Sequence, residues 1–311
     1  MPTRSSTRRS TRPPISDLLT QRPALAAVAG ALTIAFSAIL VDLAAVSPST
    51  AAVFRCAYAL PVLGLLALRE RRRLGPPRQH HWRYGAAAGA FFAADLILWH
   101  HAIADVGAGL ATVLANLQVP LVAVAAWALL GERPSARVAV AVPLVFGGAV
   151  LISGVVGEGA YGDDPALGAL YGVLTAVAYT GFILVLREMG RDLRRPAGPL
   201  FSATVVATLV AAVAGVLLGE ADFVPRWPAH GWLVTLALTS QVLGWLLIAL
   251  ALPRLPASLT SVVLTVQPVG SVLLGIELLG EDPAPLQLAG VAVIVAGIVI
   301  ATRRPVASAV A

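Results

Sequence analysis

Leu129-Leu130-Gly131-Glu132-Arg133-Pro134 returns 149 positions later as Leu278-Leu279-Gly280-Glu281-Asp282-Pro283, and each copy closes an apolar run of more than twenty residues. An ungapped superposition of the two halves also aligns Leu110 with Leu259, Val113 with Val262, Gln118 with Gln267 and Gly148 with Gly297. At a slightly different offset, Gly30-Ala31-Leu32-Thr33 falls on Gly172-Val173-Leu174-Thr175. Self-similarity at fixed spacing marks a duplicated architecture. One unit therefore covers 24–156 and its copy 166–302, between a tail at 1–23 and a second tail at 303–311.

With 58% apolar and 12% charged residues, the chain has too little polar surface to face water all round. Lipid must be part of its solvent. A spanning helix needs about 20 apolar residues to cross roughly 30 Å of hydrocarbon. Ten such segments follow from the hydropathy, at about 24–46, 48–68, 84–104, 107–131, 136–156, 166–186, 198–219, 231–252, 256–280 and 285–302. Their breaks carry Pro, Gly or charge, as at Gly75-Pro76-Pro77, Asp163-Asp164-Pro165, Pro253-Arg254-Leu255-Pro256 and Asp282-Pro283-Ala284-Pro285. The spacers leave no room for a soluble domain.

All 22 basic residues are arginine, and they avoid the apolar runs. Their distribution points to topology and gives no footing to nucleic-acid binding. Placing the N-terminus inside leaves 20 of the 22 arginines in the cytoplasm, while Asp42, Asp105, Glu158, Asp163, Asp164, Glu220, Asp222, Glu281 and Asp282 face outward with the single Arg226. Cytoplasmic loops retain Arg whereas translocated loops do not, so both termini are expected inside the cell (inner) membrane. The Arg-rich start precedes a full-length apolar run without a small-residue cleavage site, which reads as a cytoplasmic tail. One cysteine, Cys56, excludes an intrachain disulfide or a cysteine metal cluster.

Five segments per unit is an odd number, so the copy enters the membrane from the opposite side and the repeats are inverted. Inverted repeats around a midplane site are a frequent design of secondary transporters. Ten short helices, a Leu-Gly-Glu closing the fourth helix of each unit with a proline shortly after, and an early Arg in the second helix (Phe54-Arg55) resemble the drug/metabolite transporter superfamily, EamA type, over essentially all of 24–302. That resemblance implies an all-α, inverted-repeat bundle. Helices 1, 3, 4, 6, 8 and 9 would surround a central cavity, with helices 5 and 10 at the periphery. It also implies transport of small metabolites, often amino acids or related compounds moved outward. The second unit lacks an Arg matching Arg55, so any role of Arg55 is asymmetric.

The midplane supplies the candidate site. The fourth segment centres on Asn116, Gln118 and Pro120, and the ninth on Thr265, Gln267 and Pro268. Each proline removes a backbone donor and crowds the carbonyl four residues earlier. Such a kink belongs against protein or a wet cavity. Interhelical hydrogen bonding and substrate contact are both open readings of these amides and hydroxyls. Asp95 lies midway along the third segment, beside Phe91, Phe92 and Trp99. A carboxylate there costs about 2.5 to 3.5 kcal/mol, so it should face the interior, paired or protonated. Aromatic neighbours suit a cationic or zwitterionic substrate, and a carboxyl group can carry a coupling proton. A pairing with Arg55 is the structural alternative. Arg55 itself could anchor the fold, pair with Asp42 or Asp95, or bind a substrate carboxylate. Gln241, with Trp245 one turn later, joins the candidate lining.

His100 and His101 fall about 140 and 240 degrees around the helix from Asp95, and belong at the outer rim. No metal spacing, nucleotide loop or Ser-His-Asp order is present. The expectation is therefore a secondary transporter without cofactor or enzymatic activity, whose partners are a small molecule and the bilayer. A non-transporting scaffold or a membrane enzyme is the alternative; an oligomeric partner is not legible.

Overall fold

The computed structural model describes residues 23–76, 81–131, 133–189, 194–251 and 257–302, and among these every element is helical. Most of both expected tails, Glu132 and Pro253-Arg254-Leu255-Pro256 lie outside the described residues. The helices are α1 (Pro23–Ala44), α2 (Pro48–Leu74), α3 (His81–Val106), α4a (Ala108–Ala115), α4b (Gln118–Leu130), α5 (Ala136–Ile152), α6 (Pro165–Met189) and α7 (Ala197–Leu218). Then come α8, which runs Ala229–Leu236, a π-helical stretch Ala237–Gly244 and Trp245–Ala251; α9, Ala257–Leu274 continued by the π-helical Gly275–Leu279; and α10, Pro285–Thr302. Eight stretches are long and apolar enough to cross a membrane, with α4a and α4b counted together, while Ala136–Ile152 and Val266–Leu279 are shorter apolar helices.

Local chemistry explains the helix ends. Pro48 occupies the first turn of α2, where a missing N–H does no harm, and the Ser47 hydroxyl accepts from the Thr50 amide. Arg71, Arg72 and Arg73 stand in the last turn of α2, against its negative end. The glycine of each Leu-Gly-Glu copy has the same task. Gly131 (φ 72°) ends α4b and Gly280 (φ 69°) ends α9, both in the left-handed conformation that carries a penalty for residues with a Cβ.

Helix pairing repeats itself between the two units. If α1 to α5 are exchanged for α6 to α10, the α3–α6 pair becomes α8–α1, α3–α7 becomes α8–α2, α4–α6 becomes α9–α1, and α4–α5 becomes α9–α10; all of these pairs pack together. The pairs α2–α7, α4–α9 and α5–α10 map onto themselves. The exchange is incomplete, since α2–α3 and α3–α4 pack closely while α7–α8 and α8–α9 do not among the described residues.

The α5–α10 pair is a close seam. A Cβ added at Gly290 would stand 2.6 Å from the Gly148 carbonyl oxygen, and one added at Gly148 would stand 2.8 Å from that of Gly290. Small residues let backbones touch where lipid supplies no hydrophobic drive. Gly290→Ala is expected to force the helices apart at a cost of about 1 to 3 kcal/mol. A thermal-unfolding midpoint in detergent equal to the parent's would refute that close approach.

Polar ties mark the two ends of the bundle. At one end Glu70 of α2 accepts from the Ala197 and Gly198 amides at the start of α7, and Arg195 donates to the Leu74 and Gly75 carbonyls at the end of α2. At the other end Glu220, just after α7, receives the Ser49 hydroxyl at 2.6 Å and pairs with His101 at 3.3 Å. Its backbone carbonyl accepts from Ser47 and Thr50. The α2–α7 pair is thus clasped at both ends, one basic and one acidic.

Candidate functional site

α2, α3 and α8 bring the intramembrane polar residues together. Arg55 is 3% exposed on α2, and its Nε donates to Gln241 Oε1 at 3.1 Å. Gln241 sits in the π-helical stretch of α8, and its amide nitrogen reaches Thr204 Oγ1 of α7 at 3.5 Å. A π segment displaces side chains from the regular helical wheel, and such segments are frequent at functional sites. The guanidinium carbon lies 5.6 Å from the centre of the Trp99 ring, within cation–π range.

What matters most is what these groups leave unused. Arg55 Nη1 is sealed from solvent with no hydrogen-bond partner among the described residues, as is Trp245 Nε1. Asp95 is 7% exposed on α3, and among the described residues its carboxylate has neither a hydrogen bond nor an ion pair within 4.0 Å. It nevertheless stands close enough to Arg55 to interact electrostatically. A guanidinium and a carboxyl group thus share one buried layer without a hydrogen bond or ion pair between them. Burying charge is costly unless it is paired, so this layer is complementary to a ligand carrying both signs.

An aromatic wall adjoins it. Phe92 of α3 stacks on Phe182 of α6 at 4.4 Å, and Trp245 meets Phe182 edge-on at 5.4 Å and Tyr179 at 6.1 Å. Phe91, expected beside Asp95, instead turns outward at 43% exposure and rests against Gly181. Tyr179, Phe182 and Thr204 were not singled out from the sequence. The i, i+3 spacing of Tyr179 and Phe182 and the lone Thr204 in an apolar helix were available signals.

The midplane amides form a separate group. The regular α-helical pattern of α4 gives way to a tight turn at Asn116–Leu117, between α4a and α4b, where the backbone stays right-handed, and Asn116 Nδ2 turns back to the Thr112 carbonyl at 2.8 Å. Gln118 is buried in the first turn of α4b, two residues before Pro120, with no hydrogen-bond partner among the described residues. Gln267 is half-buried beside Pro268, where α9 stays helical; the Thr265 side chain lies outside the described ones. The two prolines therefore do different things to their helices. No hydrogen bond joins these amides to the Arg55–Gln241 group. His100 is held by the Pro48 carbonyl at 2.9 Å and His101 by Glu220, both at the acidic end.

At that same end Glu281 is 4% exposed, and its carboxylate accepts from the backbone amides of Ala108 and Gly109. Burial holds this carboxyl above the usual carboxylate range with the nearby charge of Asp42, against the pull of the Gly109 and Ala108 amides.

The EamA-like transporter family model matches residues 21–154 and again 166–303. The chain belongs to this family. EamA proteins are part of the drug/metabolite transporter superfamily, and the spans above make this member a multi-pass membrane protein. No curated protein matches it. One solved crystal structure of a protein, 18% identical, superposes with a TM-score of 0.60 over 91% of this chain and 96% of its own. That likeness shows a shared fold.

Proposed function

We propose that this EamA protein is a secondary transporter that moves small organic metabolites outward across the cell (inner) membrane by alternating access. The carrying observation is the buried layer in which Asp95, Arg55 Nη1 and Trp245 Nε1 lack hydrogen-bond partners among the described residues. A scaffold gains nothing from unpaired charge at the centre of a membrane-spanning bundle. An enzyme would need a nucleophile or metal group converging on the same place. The matched substrate is zwitterionic, as amino acids and related compounds are, with its carboxylate toward Arg55 and its cationic group toward Asp95.

In this reading all ten helices span, and the two five-helix repeats are inverted. The odd helix number and the pairing that survives exchange of the units support it. The acidic end, with Asp163, Asp164, Glu220 and Glu281, is external and the arginine-bearing end cytoplasmic, as charge asymmetry dictates. α4 and α9 meet on the axis relating the repeats, where a rocking motion would open one end as it closes the other.

Proteoliposomes preloaded with amino acids, sugars or cationic drugs test this by counterflow. Saturable exchange of a zwitterionic or cationic compound is expected. Failure of every class to move would return the chain to the scaffold reading. With a substrate in hand, Gln118→Leu and Gln267→Leu should each cut transport about tenfold, the worth of one hydrogen bond, at parental membrane abundance. Parental transport in both would reassign these amides to packing.

A further inference from the structure

The repeated Leu-Gly-Glu motif contains a residue that the transport site does not use. Glu281 follows the left-handed turn at Gly280, and its backbone amide is tied to the Gly275 carbonyl at 3.2 Å. That turn sends the side chain under the start of α4a, where Ala108 N and Gly109 N donate to its carboxylate, the latter to Oε2 at 3.1 Å. Glycines shape the cradle. A Cβ at Gly107 would meet Oε1 at 2.8 Å, and one at Gly109 would meet both Oε2 and the Val272 Cα at 2.9 Å. A Cβ at Gly275 would come closer still. The other titratable groups facing this carboxylate are Asp42 of α1 and Tyr161 between α5 and α6. Neither is a cation, so among the described residues the two amides and the positive end of α4a hold it.

α4a is a separate short helix. It is eight residues long and buried throughout. Gly107, at φ 88°, separates it from α3, and the Asn116–Leu117 turn separates it from α4b. Glu281 reaches it from α9, the repeat partner of α4. A short helix bounded by the glycine turn at Gly107 and a tight turn at Asn116–Leu117, lying between Glu281 and the midplane residue Asn116, has the form of a plug.

We propose that Glu281 is the pin of a gate at the acidic end: its carboxylate holds α4a in place as a plug, and its withdrawal lets α4a swing aside. This rests on the transporter reading, and it gives the second Leu-Gly-Glu copy a gating task. An intramolecular carboxylate on two backbone amides suits that task, because water can replace both hydrogen bonds when the gate opens.

The test uses Thr112→Cys as reporter, one turn inside the pin, in full-length Cys56→Ala protein. Membrane-impermeant maleimide is applied to right-side-out and inside-out vesicles. With Glu281 intact, labelling from the acidic end is slow. Glu281→Gln, which places donors against donors, and Gly109→Ala, which displaces the carboxylate without changing charge, should each raise that rate about tenfold or more. Labelling from the opposite end should stay the same or fall. Unchanged labelling in variants that elute as the parent does would overturn the pin. Loss of folded protein in both variants would overturn it too, since a contact released in every cycle cannot be needed for folding. If the increase occurs only in inside-out vesicles, the pin stands and the assignment of the acidic end as external fails.

Discussion

Asp95→Asn protein is expected to insert, elute and unfold like the parent, yet to lose about 10- to 100-fold in transport, the worth of one charge-assisted contact. The first half follows from the absence of a partner. No hydrogen bond or ion pair within 4.0 Å among the described residues is broken by the change. Replacing an unpaired carboxylate in the middle of a spanning helix by an amide also relieves part of the insertion cost of about 2.5 to 3.5 kcal/mol. Stability should therefore hold or rise, the reverse of what a structural carboxylate would show. The second half follows from Asp95 being the only carboxyl group, among the described residues, whose field reaches Arg55. If Asp95 carries the coupling proton, downhill exchange survives and gradient-driven accumulation disappears. If it binds the cationic end of the substrate, both fail together. Asp95→Asn protein that transports like the parent over the physiological pH range would make Asp95 a bystander. A clear drop in its unfolding temperature would mean it has a structural partner.

Gln241→Leu should be the most destabilising single change in the site. It removes the one hydrogen-bond acceptor that Arg55 has among the described residues and leaves a buried guanidinium beside leucine. Breaking a buried charged contact from one side costs about 3 to 5 kcal/mol. Arg55→Leu in the same chain removes the orphaned charge. The double variant should therefore recover most of the lost unfolding temperature while remaining inactive, a strongly non-additive cycle. Additive losses in the cycle would mean that Arg55 and Gln241 stabilise the bundle independently. A Gln241→Leu protein as stable as the parent would mean that Arg55 is free to find another acceptor.

Several features were legible in one dimension because their causes are local. Apolar run length relates directly to hydrocarbon thickness, and the Pro, Gly and charge at the breaks stop helices whatever surrounds them. The Leu-Gly-Glu repeat marked two helix ends because only a residue without a Cβ takes the left-handed turn cheaply, as Gly131 and Gly280 do. Intramembrane cost made Asp95, Arg55 and Gln241 conspicuous among apolar neighbours. Gly148 stood out through its match with Gly297, but only packing shows that it meets Gly290 backbone to backbone.

Partnership was not legible, because it depends on which helix packs where. A helical wheel set both Phe91 and Phe92 beside Asp95, but packing against α6 turns Phe91 outward while Phe92 stacks on Phe182. Whether a proline breaks its helix depends on what receives the freed backbone groups. α4 is interrupted just before Pro120, whereas α9 passes Pro268 as a helix. The π-helical register of α8, which aims Gln241 at Arg55, is selected by contacts with α1 and α2, and no residue spacing announces it. By itself the sequence determined the duplication, the spans, their stops and the residues too polar to lie in lipid unnoticed, since each of these is set by chain chemistry within a few residues. Only the tertiary structure decided that Arg55 turns to Gln241 rather than to Asp95 and that Glu281 closes on α4a, because both depend on distances between segments about 170 to 190 residues apart in the chain.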